Sequence, residues 1–381
     1  MVLLVEPFLR FSEFNKDWEY NFFSEIVTNK TKRIDPKKEE SLKDIELDSI
    51  EQNTGRLLNT YISKDFTSQK NKFDKGSVLY SKLRPYLNKY YYAKIDGVCS
   101  SEIWVLNSLN NEKLSNLFLY YFIQSDRFKN VANKSAGSKM PRADWGLIEN
   151  IKLYKGLIEE QEKIGEFFSK LDRQIELEEQ KLEKLEEQKK GYMQQIFSQK
   201  LRFKDESGNE YPEWEEKKLF DVVKYLSSKR SSNYYSEDII HGQYPVYDAV
   251  QEISRDTNFD IEESYISILK DGAGVGRLNL RPGKSSVIGT MGYLLPQNID
   301  IKFLFYYLKT MNFNRFVIGS TIPHLYFKDY SKETILIPID KSEQIKIGSF
   351  FIKLDSIINN KAKKIKVLKQ RKQGFLQKMF V

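Results

Sequence analysis

The chain has 381 residues, 40% hydrophobic and 30% charged, a globular composition long enough for two or three domains. A formal net charge of +8 suits a polyanionic partner, while a single cysteine (Cys99) rules out an intrachain disulfide and two histidines (His241, His324) disfavour structural zinc. The start MVLLVEPFLR has too short an apolar stretch for a signal peptide, and no apolar run approaches the ~18–20 residues that span a bilayer, so a soluble cytoplasmic protein with no membrane partner is expected.

In chain order, a head segment comes first, RFSEFNKDWE (Arg10–Glu19). A body over residues 20–158 follows. Its runs Ser77–Tyr80, Tyr90–Ala93 and Glu102–Leu106 predict strands, and Leu114–Val131 predicts a helix. From Ile164 the apolar positions Phe168, Leu171, Ile175, Leu182, Leu185, Tyr192 and Ile196 step by four and three, with polar Glu178 and Lys189 in the vacant seats. That is the seam of a coiled coil. The central helix is expected over 159–201. The second head, RFKDESGNEYPEWE (Arg202–Glu215), carries four extra residues, and a second body runs to 341. Here Tyr265–Leu269, Tyr293–Leu295 and Thr334–Pro338 predict strands, and Ile301–Val317 a helix. Residues 342–381 repeat the heptad pattern through Ile347, Phe351, Leu354, Ile358, Ile365, Leu368, Phe375 and Met379, with Lys361 and Lys372 as polar seats.

The chain therefore repeats itself. EQEKIGEFFSKLDRQI (Glu160–Ile175) returns as EQIKIGSFFIKLDSII (Glu343–Ile358), at an offset of 183 that holds without a gap for about 38 residues. Gly137-Ser138-Lys139-Met140-Pro141 is matched more weakly by Gly319-Ser320-Thr321-Ile322-Pro323. The bodies between these landmarks share little. A constant frame with divergent payloads suggests two similar modules reading different things. Each long helix would measure roughly 57 Å at ~1.5 Å per residue. Between Glu159 and Phe197 there are 11 acidic and 7 basic residues, against 2 and 10 between Ser342 and Phe380. Opposite net charge suits helices lying side by side. If they run antiparallel in one register, Glu178 meets Lys361 mid-seam.

Basic residues sit at turns. In the first body these are Lys82, Arg84 and Lys89 of SKLRPYLNK, with Lys139 and Arg142 of GSKMPRADW. In the second they are Arg277, Arg281 and Lys284 of GVGRLNLRPGK, with Thr321 and His324 of STIPH. Such side chains on loops contact phosphates and base edges, and all ten are candidate DNA-binding residues. Catalytic motifs fail. DGAGVGR has Arg277 where a dinucleotide fingerprint needs its last glycine, and RPGKSS has Leu278 where a P-loop needs glycine. Neither histidine has a recognisable catalytic partner. No catalytic or metal residue is expected. Two alternatives stay open, an enzyme that reads DNA itself and a coiled-coil adaptor that binds only protein.

SKLRPYLNK with GVCSSEIWVL, GSKMPRADW and LIEEQEKIGEFFSKLD resembles one half of the specificity subunit of a type I restriction–modification system. IGSTIPHLYF with ILIPIDKSEQIKIGSFFIKLD resembles the other half, as does DGAGVGRLNLRPGKSSVIGTMGYL. The resemblance implies an α+β chain: two mixed α/β target-recognition domains (1–158 and 202–341) joined by two long antiparallel coiled-coil helices (159–201 and 342–381), a pseudo-twofold internal repeat. Each domain would read half of a split double-stranded DNA target, and the helices would set the gap. Two modification subunits would dock and methylate adenine with S-adenosylmethionine, and restriction subunits can add ATP- and Mg-dependent cleavage. Those cofactors belong to the partners. The second body lacks SKLRPYL, so its base contacts do not carry over from the first.

Overall fold

The computed structural model describes residues 6–38, 40–134, 139–231, 235 and 242–380. The first five residues, Gly137 and Ser138 of the weaker repeat, and His241 lie outside the described residues. The chain divides into two compact units, residues 1–179 with 363–381, and residues 180–362. Each unit thus holds one body together with a stretch of both long helices, Ile158–Phe197 and Lys341–Met379.

The first unit contains an antiparallel four-stranded sheet in the order Val27–Thr28, Ile103–Ser108, Val78–Ser81, Tyr90–Tyr92. Trp104 lies opposite Tyr80, and Leu79 opposite Tyr91. A five-stranded sheet adds Arg33–Ile34, Lys70–Phe73, Gly97–Ser100, Lys43–Ile45 and Tyr61–Ile62 in that order. The ribbon Glu19–Phe22 with Lys152–Lys155 closes the body. The second unit repeats the four-stranded sheet as Val223–Ser227, Met291–Pro296, Tyr265–Leu269, Leu278–Arg281, and the ribbon as Glu215–Lys218 with Thr334–Ile337. Among the described residues its second sheet has three strands rather than five: Glu252–Asp256, Tyr244–Tyr247, Ser286–Val287. The common part is repeated and the peripheral sheet is where the bodies diverge.

Two expected helices are shorter than their apolar periodicity suggests. Leu114–Val131 is two helices, Asn116–Phe122 and Asp126–Ala132. The chain turns at Gln124 and Ser125, whose side chains bond back to the carbonyls of Tyr120 and Phe122. Ile301–Val317 is helical only to Leu308. Asn312 then starts a new turn by accepting from the Asn314 amide. In both, small polar side chains offer the backbone an alternative to the helix ladder.

The repeated motif residues tie each long helix to its body. Glu160 is fully buried and takes Arg10 Nε at 2.7 Å and Trp18 Nε1 at 3.1 Å, which explains why the head segment recurs with the helix. Arg202 and Glu343 repeat this contact at 3.1 Å. Gln161 accepts the Ser115 amide and donates to the Lys113 and Gly156 carbonyls, while Gln344 accepts the Asp300 amide and donates to Pro338. Gly165 lets the helix approach Leu117, and a Cβ there would stand 2.8 Å from Leu117 Cγ. At Gly348 it would stand 2.7 Å from the Phe303 amide nitrogen. Asp172 accepts the Tyr121 hydroxyl at 3.1 Å and Lys372 Nζ at 2.7 Å, and Asp355 likewise accepts Tyr306 and Lys189. Burial and then Asp172 push the Tyr121 hydroxyl pKa up, so it stays a donor.

Within each unit the two helix stretches run antiparallel. In the first, Phe167 meets Phe375, Asp172 meets Lys372, and Glu178 meets Lys364 at 2.9 Å. In the second, Lys189 meets Asp355 and Tyr192 meets Phe350. Ile164, Phe168, Ile175, Glu178, Ile196, Ile347, Phe351, Ile365 and Leu368 are buried. Leu171, Leu182, Leu185, Leu354, Ile358 and Lys361 are half-buried. Phe168 joins Phe118, Phe380 and Tyr121 in the first core, and Phe351 joins Phe197, Phe303 and Tyr306 in the second.

Lys372 is 8% exposed, so removing its carboxylate leaves a buried charge on neutral partners, the Gln124 amide oxygen at 3.0 Å and the Tyr121 ring. Asp172→Ala is expected to lower stability by about 3 kcal/mol in urea unfolding. Lys189→Ala should cost less, because Asp355 keeps the Tyr306 hydroxyl.

Candidate nucleic-acid interface

The candidate loops begin where central sheet strands end. After Val78–Ser81, the Lys82 amide donates to Glu102 O (3.0 Å) and Lys82 O accepts the Ala143 amide (2.8 Å). Leu83 bridges Arg142, and the Arg84 amide reaches Pro141 O at 2.7 Å. The second unit builds the same frame after Tyr265–Leu269. The Lys270 amide donates to Thr290 O (2.9 Å), Lys270 O accepts the Leu325 amide (2.8 Å), Asp271 bridges His324, and the Gly272 amide reaches Pro323 O at 2.9 Å. Position by position, Lys82 answers Lys270, Arg84 answers Gly272, Lys139 answers Thr321, Met140 answers Ile322, and Arg142 answers His324. The weak GSKMP/GSTIP repeat therefore marks a shared scaffold whose side chains differ.

Arg84 is exposed and sits at φ +52°, the left-handed region, where the second unit has Gly272 at φ +95°. An arginine in that conformation costs about 1 kcal/mol relative to glycine. Among the described residues the Arg84 side chain has no hydrogen-bond or ion-pair partner, which fits an outward-facing role. Tyr86 (55%) and Met140 (46%) are exposed beside it. In the second unit Ile318, Ile322 and Tyr326 are exposed near His324. Apolar groups set among basic ones are suited to thymine methyls and base faces. Sequence reasoning missed these, since apolar residues in loops carry no periodic signal.

Two carboxylates, also missed, hold Arg142 and His324. Arg142 Nε and Nη2 lie 3.0 and 3.1 Å from Glu102, which raises the guanidinium pKa further. His324 Nδ1 lies 2.7 Å from Asp271, and its ring stacks on Tyr326 at 11°. Burial pushes the Asp271 carboxyl up, but Lys270 and His324 outweigh it and hold the group below its ordinary value.

Lys82, Arg84, Lys139 and Arg142 are thus brought to one loop pair, and Thr321 and His324 to the other. Arg277 lies exposed in the glycine turn that leads from the second pair, where the Gly276 amide returns to Leu269 O at 2.8 Å. This turn connects the antiparallel strands Tyr265–Leu269 and Leu278–Arg281. Lys284 lies on a separate turn, 3.5 Å from Glu262 and exposed. Two expected contacts face inward instead. Lys89 Nζ donates to Leu47 O, and burial lowers its pKa. Arg281 is 8% exposed and bonds Ser267 Oγ and Asp248 O, with Tyr247 under its guanidinium at 4.2 Å. Burial lowers its pKa too.

Comparisons with known proteins show the family and the fold. The model of the type I restriction modification DNA specificity domain matches residues 15–187 and 211–370, and the chain belongs to that family. The chain is 30% identical over 202 residues to the type I restriction enzyme MjaVIII specificity subunit of Methanocaldococcus jannaschii, covering 48% of this chain and 46% of that protein. It is 26% identical over 151 residues to the EcoDI specificity subunit of Escherichia coli, covering 39% and 33%. These alignments span less than half the length of either relative. The fold is shared with the type I restriction–modification S subunit from M. genitalium, at TM-score 0.66 and 17% identity over 99% of both chains. A chain from a type I restriction–modification system characterised for complex assembly and conformational transition aligns at TM-score 0.56 and 18% identity, over 94% of this chain and 96% of the other.

Arg281→Ala should reduce stability by about 2 kcal/mol in chemical unfolding, through the lost charged hydrogen bonds. Arg277→Ala and Thr321→Ala should stay within about 0.5 kcal/mol of the parent.

Proposed function

We propose that the chain is the sequence-specific DNA-recognition subunit of a type I restriction–modification complex, reading a bipartite target with one unit per half-site. The observation that carries this is the shared loop frame, Lys82–Arg84 with Lys139–Ala143 and Lys270–Gly272 with Thr321–Leu325, presenting unlike side chains from a repeated scaffold. Identical halves would serve a symmetric target, whereas unlike halves on one frame serve an asymmetric one. Lysines and arginines position the backbone, and base-edge contacts give the sequence.

The chain itself performs no chemistry in this reading. Two modification subunits supply S-adenosylmethionine-dependent adenine methylation, and restriction subunits, where present, bring ATP- and Mg-dependent cleavage. The complex works on DNA in the cytoplasm. Among the described residues no helix is long and apolar enough to cross a membrane. The long helices serve as the ruler for the unread gap, since their register is fixed by buried motif contacts.

The partner requirement is tested by titrating duplex DNA across salt. The chain alone should bind weakly and steeply salt-dependently, and two modification subunits should raise specific affinity at least about tenfold. Tight sequence-specific binding by the lone chain at physiological salt would contradict it. Inserting four residues after Glu178 should change the gap or abolish specific binding. An unchanged gap would remove the ruler role.

A further inference from the structure

Arg142 and His324 occupy equivalent positions, each held by a carboxylate in its own unit, Glu102 or Asp271. The histidine carries the sharper information, because its two ring nitrogens have opposite roles when neutral. Asp271 is held ionised by Lys270, whose Nζ donates to Oδ2, while Oδ1 faces His324 Nδ1 at 2.7 Å. An ionised carboxylate only accepts, so Nδ1 must carry the proton. In the neutral ring, Nε2 on the far side is then an acceptor. The ring is fixed from a second direction by its stack on Tyr326, and its side chain is 37% exposed. A surface imidazole with a set tautomer and a set plane has already lost the rotational freedom that a specific contact would otherwise remove.

We propose, resting on the DNA-recognition reading above, that His324 reads one base of the second half-site by accepting a hydrogen bond from an exocyclic amino group, that is, adenine N6 or cytosine N4 in the major groove. Guanine and thymine present acceptors there and are rejected. Asp271 is a positioning residue that selects the tautomer. Arg142, with the same station in the first unit, is donor-only, so the two half-sites differ in hydrogen-bond sense at this position.

Asp271→Asn gives a readout that a merely structural role would not move. Lys270 would hold the amide oxygen, turning the NH2 group toward Nδ1 and forcing the proton onto Nε2. The preference should then invert toward guanine or thymine. The experiment uses the full chain with its modification subunits. Competition binding employs duplexes in which each position of the target, defined by the wild-type complex, is replaced in turn. His324→Ala and His324→Gln should each reduce discrimination at one second-half position about tenfold, leaving the first half-site unchanged as an internal control of folding. Asp271→Asn should invert the base preferred at that same position. The proposal is overturned if all three variants keep the wild-type preference everywhere, or if they weaken all sequences alike, as a phosphate contact or unfolding would. A wild-type complex that shows no sequence preference at all would instead refute the DNA-recognition reading on which the proposal rests.

Discussion

Asp172 and Asp355 are half-buried carboxylates, and each ties its long helix to two other elements of its unit. Each takes a hydroxyl from the short aromatic helix of its body (Tyr121, Tyr306) and an ammonium from the opposing long helix (Lys372, Lys189). Three elements distant in sequence therefore meet at one point. A slip of the helix pair by one turn would strand a partly buried lysine and its carboxylate together, at a cost of several kcal/mol. Hydrophobic packing alone would not be so strict, since a heptad seam tolerates a shift of seven residues. The apolar contacts of Phe168 and Phe351 hold the helices to the bodies, and the charged contacts decide the register.

The same logic accounts for the other repeated letters. Glu160 and Glu343 need Arg10 and Arg202 from the head segments, which is why heads and helices recur together although more than 140 residues separate them. Gly165 and Gly348 recur because a Cβ would collide with the aromatic helix of the body. Against this repeated frame the peripheral sheets differ, five strands in one unit and three in the other among the described residues.

How much of this was legible in the sequence depends on range. The long helices and the repeat announce themselves through spacing, and the strand Tyr265–Leu269 coincides with its apolar run. The polar seats Lys189 and Lys372 look like mere interruptions of a seam until Asp355 and Asp172 are seen opposite them. Helix breaks at Gln124–Ser125 and near Asn312 were hidden because the apolar periodicity continues through them. Lys89 and Arg281 looked like surface cations, yet their partners are a backbone carbonyl 42 residues away and Asp248 O, 33 residues away. Glu102 and Asp271, which aim Arg142 and His324, lie 40 and 53 residues from them. Contacts over such spans leave no periodic trace.

The central claim is that reading is separable from the frame. The most direct measurement is to replace residues 139–143 with the sequence of residues 321–325 and map the bases methylated in cells that also carry the modification subunit. The expected result is a motif altered only in the half read by the first unit, with the other half and the gap unchanged. An altered gap, or a change in both halves, would contradict it.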